Sequence, residues 1–122
     1  MTAPRVALVA VLSLAIPVGA LSADAPSKFR KLTGGEIRTR VIGNRITDEA
    51  HWSEFFSKDG SIAVVNMGRK STGKWRIDKD TLCMWTRAVE GECYEVWLSG
   101  AEIQLRYRGE DAPYTAYLRK GE

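Results

Sequence analysis

Residues 81–98, TLCMWTRAVEGECYEVWL, alternate between apolar and polar side chains over two short arms. Alternation with a period of two residues is typical of β-strands, and Glu90-Gly91-Glu92 between the arms is a turn signal. The segment therefore predicts an antiparallel hairpin built from the strands Thr81–Arg87 and Cys93–Ser99.

The two cysteines set the expected register of this hairpin. Placing Cys83 opposite Cys93 puts Trp85 opposite Gly91. One face then carries the residues that we assign to the core: Leu82, Met84, Tyr94, Val96 and Leu98. The opposite face carries the two cysteines together with Trp85, Glu95 and Trp97, so it is not an ordinary polar surface.

Cys83 and Cys93 are the only cysteines of the 122-residue chain, and there is a single histidine. Their spacing of ten residues does not fit a CxxC redox motif, and two cysteines with one histidine are too few for a structural zinc site. We expect a disulfide between them, which would stabilise the fold by roughly 2–3 kcal/mol. No metal site and no cofactor are predicted.

The same two-residue period continues on both sides of the hairpin. No proline interrupts the chain between Ser27 and Ala112, and we interpret Gly68 to Gly73 as an exposed basic loop. Seven antiparallel strands in so short a chain predict a mainly β (α+β) fold, a meander that closes into a small barrel or curled sheet. The further candidate strands are Trp52–Ser57, Ser61–Met67, Lys74–Asp78, Glu102–Arg108 and Tyr114–Arg119.

One short helix is expected before the strands. Thr33-Gly34-Gly35-Glu36 fits a capping box, in which the Thr33 hydroxyl and the Glu36 carboxylate each accept a backbone N–H. Gly43 supplies a left-handed stop, so the pattern predicts a helix over 34–42. Its Ile37 and Val41 share one face and must pack on something larger.

The first 25 residues differ in composition from the rest of the chain. Seventeen of them are apolar and only Arg5 and Asp24 are charged, whereas the remaining 97 residues hold 37 apolar and 31 charged residues. We interpret residues 1–23 as a signal peptide, with cleavage after Ala23 or at the latest after Ala25. Residues 24–31 would be a flexible lead-in and 32–122 a single β-rich domain.

The apolar run of this leader, Val6–Ile16, is shorter than the roughly 20 residues that a bilayer core requires. We therefore expect no stable membrane insertion after signal cleavage. The protein would be periplasmic or secreted, in a compartment where the disulfide can form.

Four segments together resemble a known family. They read LTGGEI (32–37), HWSEFF followed by DGS (51–61), GKWRIDKDTLC (73–83) and ECYEVWLSG (92–100). The pattern is similar to that of small exported bacterial proteins classified as a domain of unknown function. The resemblance implies an exported β fold with one disulfide, and it carries no assigned catalytic residue. In architecture alone, the expected barrel also resembles short lipocalin-type barrels, including secreted protease inhibitors.

Catalytic chemistry has little support in the sequence. His51 lies near Asp48, Glu49 and Glu54, which could make it a general base, but no nucleophile motif accompanies it. The acid pairs Asp78/Asp80 and Glu90/Glu92 are ordinary turn chemistry. A net charge of +3 is too small to indicate nucleic-acid binding. We therefore predict no catalytic residues and no nucleic-acid partner.

The tryptophans are the most informative candidates for function. Trp75, after Gly73, is expected to fill the core. Aromatic rings beside a few charges are typical of a binding surface, although a second small core beneath the helix is the alternative that we favour for that face. The candidate binding residues are Trp52, Trp85, Arg87, Glu95 and Trp97.

These observations favour an exported, non-enzymatic binding or inhibitory module for a partner protein or a small apolar ligand. Two alternatives stay open. One is a small exported hydrolase that uses His51 and nearby carboxylates, and the other is a structural protein of the cell envelope.

Overall fold

Short turns make strands that follow one another in the chain pair side by side and antiparallel. The computed structural model describes residues 2–4, 6–7, 9–15, 28–108, 110 and 115–122. Within these residues it has one helix and nine strands. They are β1 (Arg30–Lys31), α1 (Gly34–Arg40), β2 (Asn44–Thr47), β3 (Trp52–Phe56), β4 (Ser61–Asn66), β5 (Arg69–Asp78), β6 (Thr81–Trp85), β7 (Glu90–Ser99), β8 (Glu102–Tyr107) and β9 (Ala116–Lys120).

Strands β2 to β9 form a closed eight-stranded antiparallel barrel, which confirms the predicted fold class. Each strand from β2 to β8 pairs with the next one in the chain. The last strand, β9, pairs with both β8 and β2, which closes the sheet on itself. Strand β1 pairs two residues with the edge of β7, beyond the point where β6 begins at Thr81.

One end of the barrel is filled with apolar side chains and covered by α1. Ile37 and Val41 of the helix segment are fully buried in the same cluster as the inward side chains of the strands. Trp75 packs against this cluster, as expected, and its indole N–H donates to the carbonyl of Ser57 at 2.7 Å. The strand residues that are fully or almost fully buried in the cluster include Ile46, Phe56, Ile62, Leu82, Val96, Leu98 and Ile103.

The predicted capping box begins α1. The Glu36 N–H donates to the Thr33 hydroxyl, and the Thr33 N–H donates to the Glu36 carboxylate, both at 3.2 Å. The helix ends at Arg40, two residues earlier than predicted, with Val41 as its C-cap. Gly43 has a φ of 89°, as expected for the stop, and the next residue already begins β2.

Two strands were not predicted, and one predicted loop is wrong. Strand β1 lies within the expected lead-in, and β2 is a short strand directly after the helix. The segment from Gly68 to Gly73 is not a loop, because β5 begins at Arg69. A two-residue turn of Met67 and Gly68, with φ of 51° and 79°, is sufficient to reverse the chain.

The hairpin register is correct at the cysteines and wrong at its turn. Cys83 faces Cys93 and forms the disulfide, but Trp85 pairs with Glu90 instead of Gly91 because a bulge follows Met84. Gly91 has a φ of 72°, and a Cβ there would lie 2.9 Å from the indole nitrogen of Trp85. The bulge therefore places the Trp85 ring over a residue without a side chain.

The leader contributes nothing to this core where it is described. The side chains of Val6, Val9, Val11, Leu12 and Leu14 are each more than 80% exposed. The expected cleavage sites after Ala23 and Ala25 lie outside the described residues. Among the described residues, no helix has the length and hydropathy that a membrane span needs.

The disulfide should supply a measurable share of stability. Reduction of the wild-type chain is expected to lower the free energy of unfolding by about 2–3 kcal/mol, because the ten-residue loop between the cysteines is released in the unfolded state. Urea unfolding with and without reductant measures this. The double variant Cys83→Ala/Cys93→Ala is the control and should not respond to reductant; an equal response from both proteins would contradict the prediction.

The two glycines at the start of α1 should respond oppositely to alanine. A Cβ at Gly34 would overlap the carbonyl oxygen of Lys79, whereas the nearest atom to a Cβ at Gly35 is 4.0 Å away. We expect Gly34→Ala to destabilise the fold by at least about 2 kcal/mol and Gly35→Ala to stabilise it by about 0.5–1 kcal/mol. Thermal and urea unfolding of the pair measure this, and equal effects would refute the close approach.

Candidate functional site

The end of the barrel opposite α1 holds a cavity of about 500 Å³ that opens to solvent. Inward side chains from β3 to β8 line it, together with the loop between β6 and β7. Its walls are largely apolar and aromatic: Trp52, Val64, Met84, Tyr94, Leu105 and Tyr107.

Strand β3 crosses from the filled end to the open end. Its inward residues are Phe56, Glu54 and Trp52, and Phe56 is fully buried in the core. Glu54 and Trp52 come next along the same face and line the cavity instead. Glu54 therefore lies at the inner end of the cavity and Trp52 nearer its mouth.

The cavity is left open because small side chains face one another on β4 and β5. Val64 of β4 pairs with Ser71 of β5, and both line the cavity. One pair further toward α1, Ile62 faces Gly73 at the edge of the filled core. Because the wall between β4 and β5 carries no bulky side chain at this level, the interior is not filled by the protein itself.

Glu54 is an ionisable group in apolar surroundings. Its neighbours across the sheet are Ile46 and Val64, and within the described residues its carboxyl forms no hydrogen bond or ion pair. Burial raises the pKa of Glu54 from 4.5 to about 7. The carboxyl therefore exchanges its proton near neutral pH.

The tyrosines of the wall are held in place. Tyr94 and Tyr107 pair across β7 and β8, with ring centroids 5.7 Å apart. The Tyr94 hydroxyl donates to the Glu92 carboxylate at 2.6 Å. This arrangement gives one side of the cavity a pre-formed aromatic surface.

Charged side chains surround the mouth of the cavity. Arg69, Lys70 and Arg87 lie there together with Glu110, and all four are exposed. Three basic groups against one acid leave the described part of the mouth with a net charge of +2. The mouth is thus basic, while the inner end carries a single carboxyl.

The structure divides the predicted binding residues into two groups. Trp52 and Arg87 line the cavity. Trp85, Glu95 and Trp97 lie instead on the outer surface of the barrel, since they alternate with the inward residues of β6 and β7. The sequence analysis names all five as candidate binding residues and does not distinguish inward from outward side chains.

The outer group is ordered by charged neighbours. The Arg106 guanidinium lies 4.0 Å from the Trp97 ring centroid, and that of Arg76 lies 5.7 Å from the Trp85 ring. Lys31 pairs with Glu95 at 2.9 Å, and this bond lowers the pKa of Glu95. A cation–π contact at an exposed site contributes about 0.5–1 kcal/mol.

The small second core that we favoured beneath the helix is wrong. Ile37 and Val41 pack into the barrel core, and the two outer tryptophans do not belong to that cluster. Helix α1 contacts β5 and β6 at the filled end of the barrel. The apolar face of the helix therefore finds its partners inside the barrel.

The acids near His51 in the sequence are separated in the structure. Asp48 accepts the backbone N–H groups of Trp52, His51 and Ala50, which hold its pKa well below the usual range, and it also contacts His51 Nδ1 at 3.0 Å. Glu49 pairs with Arg119. Glu54 faces the cavity, so of the three acids near His51 in the sequence only Asp48 is hydrogen-bonded to the histidine side chain among the described residues.

No hydrogen bond joins a hydroxyl to the His51 side chain within the described residues. The same residues contain no group of three or more histidines, cysteines or acids that could hold a metal ion. Of the predicted acid pairs, Asp80 accepts the Gly34 N–H at 2.8 Å and Glu92 accepts the Tyr94 hydroxyl, so both have structural partners.

Sequence reasoning did not identify Glu54, Val64, Leu105 or Tyr107 as cavity residues. One signal was present, because Glu54 interrupts the apolar face between Trp52 and Phe56. A charged residue at an inward position is uncommon unless it has a partner or a function. The side-chain pattern of β3 alone therefore marks Glu54 as a charged residue at an inward position.

Comparisons with protein-family models, with curated proteins and with solved structures find no match for this chain. A functional proposal therefore rests on the cavity and its chemistry.

The raised pKa of Glu54 predicts that this residue destabilises the empty protein at neutral pH. Because the folded pKa of about 7 exceeds the ordinary 4.5, the folded state favours the protonated carboxyl. The stability that this protonation contributes is full below about pH 4.5 and is lost as the pH rises to 7. We expect Glu54→Gln to stabilise the protein at pH 8 by about 1–3 kcal/mol, and by much less at pH 5.

Urea unfolding at the two pH values measures this difference. Glu110→Gln at the exposed mouth is the matched control and should change stability little at either pH. A stabilisation by Glu54→Gln that is the same at pH 5 and pH 8 would contradict the assigned titration.

Proposed function

We propose that this protein is an exported, non-enzymatic binding module that holds a small, largely apolar ligand inside its barrel. The observation that carries the proposal is the cavity of about 500 Å³ at the open end. Its size lies within the range of small-molecule sites, and its lining of apolar and aromatic groups with a few polar ones is typical of them.

The rest of the barrel supports a pre-formed site. The filled core, the cover of α1 and the disulfide between β6 and β7 hold the strands whose other ends form the cavity. A site that is rigid before binding loses less entropy when the ligand enters. Trp52 and Arg87, two of the residues that the sequence marked for binding, belong to its lining.

Two features support the exported location, periplasmic or secreted. The leader has the charge and hydropathy of a signal peptide, and its described apolar side chains do not pack on the barrel. The Cys83–Cys93 disulfide suits an oxidising compartment.

A protein partner bound to the outer face is the second candidate. The observation that favours it is the 38% exposure of Trp85, which shares the outer face of the hairpin with Trp97; an arginine guanidinium lies over each of the two rings. Hydrolysis at His51 comes behind both binding proposals, because the open pocket of about 470 Å³ beside it brings no hydroxyl into hydrogen-bond contact with the histidine in the part of the chain that the structure describes. A structural role in the cell envelope comes last.

Titration with the lipophilic fluorophore N-phenyl-1-naphthylamine tests the cavity. We expect saturable binding of one probe molecule per barrel, with enhanced fluorescence from the apolar walls. Val64→Trp should fill the space and weaken binding by at least roughly tenfold, the equivalent of about 1.4 kcal/mol. The matched control is Val65→Trp on the next residue of β4, whose side chain points away from the cavity and which should leave probe binding unchanged.

A third variant separates the two binding proposals. Trp97→Ala changes the outer face and should leave the affinity for the fluorophore intact. Equal affinity in the Val64→Trp and Val65→Trp proteins, or a loss confined to Trp97→Ala, would exclude the cavity as the binding site.

A further inference from the structure

The inner end and the mouth of the cavity differ in chemistry. Glu54 lies inside, next to Val64 and one inward position from the buried Phe56. The basic residues Arg69, Lys70 and Arg87 lie at the mouth and are exposed. A ligand that enters this cavity thus meets a carboxyl at its inner end and cations at its outer end.

We infer that the ligand is an amphipathic organic amine, whose nitrogen enters first and pairs with the Glu54 carboxylate while its apolar body contacts the aromatic walls. This inference rests on the proposed binding function and names the ligand class for the same site.

The first argument is the hydrogen-bonding state of Glu54. Glu54 is half-buried in the wall of the cavity, and within the described residues nothing in the protein donates a hydrogen bond to its carboxyl, so its ionised form is poorly compensated in the empty barrel. An ammonium group supplies both an opposite charge and several N–H donors, so it compensates the carboxylate better than a neutral group does.

The second argument is the composition of the walls. Trp52, Tyr94 and Tyr107 all line the cavity. The faces of aromatic rings attract a cation, and this attraction strengthens where water is excluded. The same rings provide apolar contact for the body of the ligand.

The third argument concerns the outer end of the ligand. The mouth is basic, so a second cationic group there would be repelled, and the outer end of the ligand should be neutral or anionic. The entering ammonium passes these charges in water, where salt screens them. Burial raises the pKa of Glu54 even with these cations at the mouth.

A fatty-acid-type anion is the competing ligand class, and it differs in its pH dependence. Its carboxylate would stay at the basic mouth, and its chain would require a neutral Glu54. Raising the pH through the pKa of Glu54 therefore strengthens amine binding and weakens anion binding. The other ionisable groups that line the cavity are Arg69, Lys70, Arg87, Glu110, Tyr94 and Tyr107, and the Glu92 carboxylate, which accepts the Tyr94 hydroxyl, lies on the same inward face of β7.

Titration calorimetry with octylamine, octanoate and octan-1-ol tests the inference, because the three probes share one alkyl chain and differ in the head group. We expect octylamine to bind most tightly at pH 8 and about tenfold less tightly at pH 6, where most of Glu54 is protonated. Octan-1-ol should bind with nearly the same affinity at both pH values.

Variants assign the effect to Glu54. Glu54→Gln should weaken octylamine binding at pH 8 by about tenfold or more, abolish its pH dependence and leave octan-1-ol binding within about threefold. Glu90→Gln, which removes an exposed carboxylate that does not line the cavity, is the matched control and should leave octylamine binding nearly unchanged. Unfolding curves show that each variant is folded.

The possible failures are distinguishable. If octan-1-ol binds as tightly as octylamine and Val64→Trp abolishes both, the cavity binds apolar ligands and the amine inference is overturned. Octanoate binding that is tightest at pH 6 overturns it as well, in favour of an anion. If none of the three probes nor N-phenyl-1-naphthylamine binds the folded wild-type protein, the proposed function itself fails.

Discussion

Closure of the barrel depends on β9, which pairs with β2 along one edge and with β8 along the other. Without β9, both partners would present unpaired backbone groups to solvent. Closure also decides which side chains are inside, because alternate residues of every strand must then face the interior. The core at one end and the cavity at the other both follow from this single pairing.

The two ends of the interior differ because of the residues that closure places there. At the filled end, α1 supplies Ile37 and Val41 beside large strand residues such as Phe56 and Leu82. At the open end, the loop between β6 and β7 lies at the mouth and is braced by the Thr86 N–H, which donates to the Val89 carbonyl at 2.7 Å. A barrel of eight strands is just wide enough to be filled by side chains or to hold one small ligand. This barrel is filled by side chains at the end that α1 covers, and it holds the cavity at the other end.

The features that the sequence predicted are local. The hairpin of β6 and β7, its disulfide and the capping box at Thr33 each depend on residues a few positions apart. Strand β2 was missed because its own four residues carry no clear alternation and one of its two partners, β9, lies about seventy residues away. The bulge at Trp85 was missed because it depends on how the Trp85 ring packs over Gly91.

The candidate site was predictable only in part for the same reason. Trp52 and Arg87 were chosen as binding residues, but the sequence could not show that their side chains share a space enclosed by the barrel. In the sequence, Trp85 and Trp97 look like Trp52, since each is a tryptophan in a candidate strand. Only the strand register of the closed barrel shows that the Trp52 side chain points inward and the other two point outward. Glu54 was assigned to the surroundings of His51 because it is close in sequence, whereas its strand turns it to the opposite face.

Several charged side chains on the outer surface of the barrel have partners, whereas the Glu54 carboxyl inside it has none among the described residues. On the outside, Glu95 is paired with Lys31, and Arg76 and Arg106 each lie over an indole ring. Inside, Glu54 stands among apolar neighbours at a cost in stability that an apolar residue would avoid. A barrel built for stability alone would continue the apolar face of β3 from Phe56 to Trp52. Since natural proteins break local rules mainly where function requires it, the Glu54 carboxyl, which has no hydrogen-bond partner among the residues that the structure describes, is the feature that most strongly connects the cavity to a ligand.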